Sequence, residues 1–267
     1  MKKLMEAINL PAEAAQAVLA ADRSLPRDLD VSGLTREETW QSGRAALLEK
    51  LGPDPGGFKE LACMLRCAMA ARETYEELGI GEKIYRDTFA CFTRFVREHR
   101  DSFGSYGFDR GFWTVRQVSC KLFRIGELEY EPIRMDGEPV ISLHIPSDAR
   151  LEPGELRSSY LDARALLGRA FPEYAGARMY CHSWLLSPTL KELLPPGSRI
   201  LRFQESFAVT PLAGDNREYR LWVFKNPSLP PEDYPEETSL QRKLKARILE
   251  GGTLTDAKGF LVREPFV

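Results

Sequence analysis

Residues 121–145 read KLFRIGELEYEPIRMDGEPVISLHI, and this stretch decides the fold. Its apolar residues alternate or run over two short segments, Lys121–Ile133 and Pro139–Ile145, at the period of a strand. Between them, Asp136-Gly137 is the dipeptide best suited to closing a hairpin, because both central turn positions need a left-handed backbone. Two antiparallel strands are therefore expected here.

Upstream the period is helical. Pro11 opens a segment over Ala12–Ala21, since its missing N–H costs nothing at a helix start. Arg36–Leu51 and Phe58–Leu78, rich in Ala, Leu, Glu, Arg and Met, are stopped by Gly52-Pro53 and Gly79. Tyr85, Phe89, Phe92, Val96 and His99 then recur every three or four residues, a stripe on one side of a helix that reads as core or as the wall of a ligand channel. Gly104, Gly107 and Gly111 mark a loop before another helix, Phe112–Cys120, and the domain boundary is expected near it.

Downstream, Pro153-Gly154 leads into a helix near Glu155–Ala170. A strand over Arg178–Leu186, a short helix near Pro188–Leu194, and strands at Arg199–Val209 and Glu218–Phe224 are expected to follow. A proline-rich linker, 227–235, precedes a helix that Thr238 and Gln241 can cap reciprocally, then a Gly251-Gly252 stop and a final strand.

Composition narrows the function. The 37 basic and 39 acidic residues are interspersed, giving a net charge of -2, so the basic footprint of a nucleic-acid partner is absent. No apolar run nears the roughly 20 residues needed to cross a bilayer, and the start lacks the apolar core of a secretory signal. A cytoplasmic protein without nucleic-acid or membrane partners is expected. The five cysteines, Cys63, Cys67, Cys91, Cys120 and Cys181, never fall in a C-x-x-C pair and read as reduced core thiols; no metal site is expected.

Leu143-His144-Ile145-Pro146 at a strand end, the helix holding Ser158-Ser159-Tyr160, and Tyr180-Cys181-His182-Ser183-Trp184 resemble the GNAT superfamily of acyltransferases. The likeness is to a bacterial subgroup in which a helical N-terminal domain precedes a GNAT-like C-terminal domain. It implies an α/β (α+β) architecture of two domains, a helical 1–115 and a mixed-sheet 116–267. It also implies transfer of an acyl group from acyl-CoA, or a related thioester, to a small amine or alcohol.

In that family two parallel strands part into a V that holds the pantetheine of coenzyme A; here they would be Pro139–Ile145 and Arg178–Leu186. The following helix would turn its N-terminus to the pyrophosphate. The resemblance thus places Ile145, Arg150, Gly154, Arg157 and Ser158 at the cofactor. Arg150-Leu151-Glu152-Pro153-Gly154-Glu155 nevertheless departs from the family's phosphate-loop spacing and sets two carboxylates beside it. A non-catalytic module that keeps the shape without the phosphate loop is the alternative.

Acyl transfer needs a base for the acceptor's proton and an acid for the leaving thiolate. Two of the three histidines, His144 and His182, fall on the V strands and suit those tasks, although each also reads as a hydrogen-bonded strand residue. Glu205, on the next expected strand, is a further candidate base. Cys181 and His182 cannot meet, since adjacent strand residues face opposite ways. Trp184 reads as core or as a stacking surface for substrate. A hydrolase using Cys181 or Ser183 is the weaker third reading, since neither residue sits on a G-x-S-x-G elbow.

Overall fold

The computed structural model describes residues 1–213, 218–226 and 228–262; Pro227, the first residue of the expected linker, lies outside them. The chain forms two units, Met1–Ile125 and Gly126–Val267.

The first unit is helical: α1 (Lys2–Ala7), α2 (Ala12–Ser24), α3 (Trp40–Leu51), α4 (Phe58–Glu77), α5 (Glu82–Phe89), α6 (Cys91–Phe103) and α7 (Gly111–Val118), then a three-residue strand β1 (Phe123–Ile125). α4 is its axis, because its small residues Ala62, Cys63, Cys67, Ala68 and Ala71 are buried and leave room for close neighbours. Arg66 of α4 donates to Asp22 of α2 at 2.8 Å, and Arg44 of α3 holds the buried Glu60 at 2.6 Å. The aromatic stripe is core: Tyr85, Phe89, Phe92 and Val96 are buried, with Tyr75 edge-on to Tyr85 at 5.2 Å. The chain breaks the stripe at Ala90 into α5 and α6, so it spans two helices rather than one. His99 ends it, with Nδ1 2.8 Å from the Ser105 carbonyl.

The second unit is built on β2 (Leu128–Met135), β3 (Glu138–His144), α8 (Pro153–Ala170), β4 (Arg178–Ser183), α9 (Leu190–Leu193), α10 (Arg199–Gln204), β5 (Phe207–Pro211), α11 (Glu218–Phe224), α12 (Ser239–Leu249) and β6 (Ala257–Leu261). These strands lie in the order β2-β3-β4-β6-β5. β3 and β4 run parallel, and the other neighbours are antiparallel. The hairpin closes as the sequence requires, with Asp136 and Gly137 at φ 52° and 86°.

Two expected strands are corrected. Glu218–Phe224 is helix α11, because a helix puts Tyr219 and Val223 four apart on one face, where both enter a core with Leu190, Leu244 and Leu254. Arg199–Val209 divides into α10 and β5. Ser198 caps the helix by accepting from the Leu201 N–H, and the chain becomes extended only at Phe207. The expected strand over Arg178–Leu186 stops at Ser183 and turns into a short 3₁₀ segment, Trp184–Leu186. The capping box of α12 forms: Thr238 Oγ1 accepts from the Gln241 N–H, and Gln241 Oε1 accepts from the Thr238 N–H.

Candidate functional site

Strand alternation gives the sheet two unlike faces. Tyr130, Ile141, Leu143, Met179 and Cys181 share one face, all buried, and it packs on α8, where Tyr130 Oη lies 2.6 Å from Ser159 Oγ. The other face carries Glu129, Glu131, Ser142, His144, Tyr180 and His182. A polar row on a mixed sheet is costly to bury unless its members are paired, and several of these are.

The ladder between β3 and β4 runs from Val140↔Arg178 to Leu143↔Cys181 and stops there. Beyond that pair β3 ends at His144, whereas β4 continues to Ser183, paired on its far side with β6. The pairing of the two parallel strands, which were expected to part, ends at this point. One step past the last pair, His144 and His182 stand at the opening on the polar face.

Each histidine meets a carboxylate. His144 Nε2 is 2.8 Å from Glu131 Oε2, and the Glu131 side chain is 11% exposed. Because an ionised carboxylate only accepts, Nε2 is the donor in this bond. His182 Nε2 stands 3.5 Å from Asp256 Oδ2, with its own ring 48% exposed. Glu131 was missed in the sequence although a signal was there: in Glu129-Tyr130-Glu131 two carboxylates on a strand share one face, two residues apart. Asp256, just before β6 and far along the chain, carried no such signal.

The residues expected at the cofactor gather at the start of α8. Ile145 is half-buried just past β3, and Gly154 lies exposed in the first helical turn. Ser158 donates to the Gly154 carbonyl at 3.2 Å, and Arg157 is exposed beside it. Arg150 is held by Glu127 (3.2 Å) and Glu155 (2.5 Å), and Arg199 by Glu152 (3.0 Å). The cations at this helix end are thus balanced by the chain's own carboxylates. Glu205 sits elsewhere than the sequence suggests, exposed at the C-terminal cap of α10 and not on a strand.

Cysteine chemistry does not fit. Cys181 is fully buried among apolar groups, which pushes its thiol far up, and burial also raises Cys63 and Cys120 to about 11 and Cys67 to about 12. Ser183 is engaged as the cap of the 3₁₀ turn, accepting from the Leu185 N–H at 3.1 Å. Trp184 is half-buried against the core formed by α9, α11 and α12. No group of three or more His, Cys, Asp or Glu among the described residues could hold a metal ion, and no helix among them is long and apolar enough to cross a membrane.

Two buried polar atoms of α8, Glu155 Oε2 and the Tyr160 hydroxyl, have no hydrogen-bond partner among the described residues. Tyr160 itself is fully buried. Leaving such a group unsatisfied costs about 1–3 kcal/mol.

A mixed sheet whose two parallel strands part above a helix, preceded by a helical unit, is an acyltransferase fold. The chain belongs to the family described as having a GNAT-like C-terminal domain, which matches residues 122–261, while an N-acyltransferase N-terminal domain matches residues 1–120. Among solved structures it is similar to an acyltransferase in complex with decanoyl-CoA and teicoplanin, at 26% identity and TM-score 0.79 over 97% of this chain and 86% of that one. It is similar also to an acyltransferase in complex with CoA and 10C-teicoplanin, at 25% identity and TM-score 0.80 over 99% and 87%. An acyltransferase mutant in complex with octanoyl-CoA matches at 25% identity and TM-score 0.80 over 97% and 86%. No curated protein matches.

Proposed function

We propose that the chain transfers an acyl group from acyl-CoA to an amine or alcohol of a small-molecule acceptor. The observation that carries this reading is the hydrogen bond of His144 to Glu131 at the point where β3 and β4 part. Glu131, accepting from the ring N–H, orients the imidazole and stabilises the charged form that His144 takes as it receives the acceptor's proton. His182, beside Asp256 and more exposed, supplies a proton to the leaving sulfur. In the balance of the step, a C–N or C–O bond forms as the C–S bond breaks. The acceptor loses one proton and the thiol gains one.

The open edges of β3 and β4 suit the amides of a pantetheine arm, which can pair with exposed backbone. Arg150 and Arg199 are the cations at the first turn of α8 that would meet the phosphates, with Gly154 and Ser158 beside them and Arg157 on the next turn; Ile145 would border the arm. The structures in complex with decanoyl-CoA and octanoyl-CoA support a coenzyme A thioester as donor. The carboxylates Glu127, Glu152 and Glu155 favour the other reading, a module of this shape that no longer turns over.

Calorimetry with CoA, acetyl-CoA and decanoyl-CoA, followed by thiol release with teicoplanin and a panel of amines, separates the two. Binding plus acceptor-dependent thiol release that disappears in His144→Ala supports the enzyme. Binding without release from any acceptor, or no heat with any coenzyme A species, overturns the enzyme and supports the module.

A further inference from the structure

The polar face of the sheet changes character across its width. Over β2 and β3 it is buried, as Glu129, Glu131 and Ser142 are, whereas over β4 and β6 it is open to solvent. There the register sets His182 opposite Lys258 and Tyr180 opposite Phe260, and alternation turns Arg178 to the same side. Arg178, His182 and Lys258 are exposed, while Tyr180 and Phe260 are half-buried with their rings 5.4 Å apart.

Two cations stand together on this surface. The Arg178 guanidinium lies 3.7 Å from the centre of the Phe260 ring, a stacking that holds its plane and leaves its N–H edges able to donate. Lys258 is two residues from Phe260 on the same strand and faces the same way. Neither cation makes an ion pair among the described residues. The carboxylate nearest to them along β6, Asp256, stands beside His182 at 3.5 Å.

The patch adjoins the reaction centre, because β4 is one side of the opening and β6 is the next strand. From the middle of the opening to β6 is one and a half strand spacings, about 7 Å. A ligand with its nucleophile at the opening would therefore cross β4 with a flat ring over Tyr180 and bring an anionic end to Arg178 and Lys258. Asp256 on the same face repels a doubly charged phosphate more than a singly charged carboxylate.

We propose that the acceptor is an aromatic amine or alcohol bearing a carboxylate, which Arg178 and Lys258 bind while Tyr180 supports the ring. This rests on the acyltransferase reading and deepens it by naming the acceptor's chemical class. Neither cation takes part in the proton transfers, so both set affinity for the acceptor and not the rate of turnover.

The test uses 4-(aminomethyl)benzoate, whose amine and carboxylate stand at opposite ends of a benzene ring. Beside it are benzylamine, which lacks the carboxylate, and 6-aminohexanoate, which lacks the ring. Affinities are read by ligand-observed NMR titration, in the presence of CoA, for wild type, Lys258→Gln and the double variant Arg178→Gln/Lys258→Gln. Both side chains are exposed, and unchanged melting temperatures verify that the variants fold. The wild type should prefer the benzoate to both other probes. Its affinity should fall about three- to fivefold in Lys258→Gln and roughly tenfold in the double variant at low salt, as for exposed charge pairs. High salt should shrink that difference, and benzylamine should bind all three proteins alike. In thiol-release assays the loss should appear in KM for the benzoate with kcat unchanged. No binding of the benzoate, or equal binding by wild type and double variant, overturns the inference; thiol release with uncharged amines then leaves the acyltransferase reading standing. Equal affinity for 6-aminohexanoate overturns the aromatic class. A double variant that loses affinity for CoA instead also overturns the inference, since the cations would then serve the donor's phosphates. Thiol release with no acceptor at all takes down the acyltransferase reading and the inference with it.

Discussion

Glu131 and His144 lie on neighbouring antiparallel strands, not directly opposite but displaced by two residues, since the register pairs Glu129 with His144 and Glu131 with Ser142. The 2.8 Å bond between them is thus a diagonal one, reached only because a glutamate is long enough to span the offset. An aspartate there would fall short.

That geometry sets the first prediction. His144→Ala lowers acyl transfer by roughly 10²–10⁴-fold, the range expected for a general base. Glu131→Gln and Glu131→Asp lower it by about 10–100-fold, as when the partner that orients a histidine is removed. Steady-state thiol release reads the loss, which should appear in kcat and not in the affinity for CoA. A glutamine variant with wild-type kcat would remove Glu131 from the mechanism.

The cysteines make a second. With Cys63, Cys67 and Cys120 raised to about 11–12 by burial, and Cys181 raised further, native protein at pH 8 should react with an aromatic disulfide at none of these four. After denaturation all five cysteines should titrate. The sign of the linkage follows: the unfolded thiols ionise near about 8.5 and the folded ones well above, so this contribution to stability is complete below that value and is lost as pH rises toward 11. Denaturant midpoints between pH 7 and 10 check it.

At α12 the reciprocal cap predicts separable losses. Thr238→Ala should cost about 1 kcal/mol. Gln241→Ala should cost more, because Gln241 Nε2 also donates to the buried Val223 carbonyl at 3.0 Å and ties α12 to α11. Urea unfolding of the two variants ranks them, and equal losses would contradict the second bond's contribution.

Gly57 gives the fourth. It sits at φ 68°, and a Cβ there would come within 1.8 Å of the Phe108 carbonyl oxygen. Gly57→Ala must therefore shift backbone at the start of α4, the axis of the first unit, and should lower the melting temperature by several degrees. Gly79→Ala, at φ 64° with open space around it, should suffer only the conformational strain.

What could be read in advance follows from how local each signal is. The hairpin at Asp136-Gly137 and the Thr238 cap rest on short-range patterns, whereas the parallel pairing of β3 and β4 is implied by the family resemblance; all three stand in the structure. Glu218–Phe224 misled because Tyr, Leu, Trp, Val and Phe suit a strand by propensity, while the apolar neighbours that make it a helix come from α9 and α12. The two histidines could be placed on the V strands from sequence. Of their carboxylate partners, Glu131 carried a local signal in Glu129-Tyr130-Glu131, whereas no spacing along the chain encodes the meeting of His182 with Asp256.

The parted strands have one more property. β2 remains zipped to β3 as far as Glu129↔His144, and β6 remains zipped to β4 as far as Ser183↔Ala257. Each prong of the fork is therefore half of an intact two-stranded ribbon, braced from outside to its tip. An incoming arm has no backbone to unzip and little chain to immobilise, so the entropic cost of shaping the slot is met when the protein folds and not when the guest arrives.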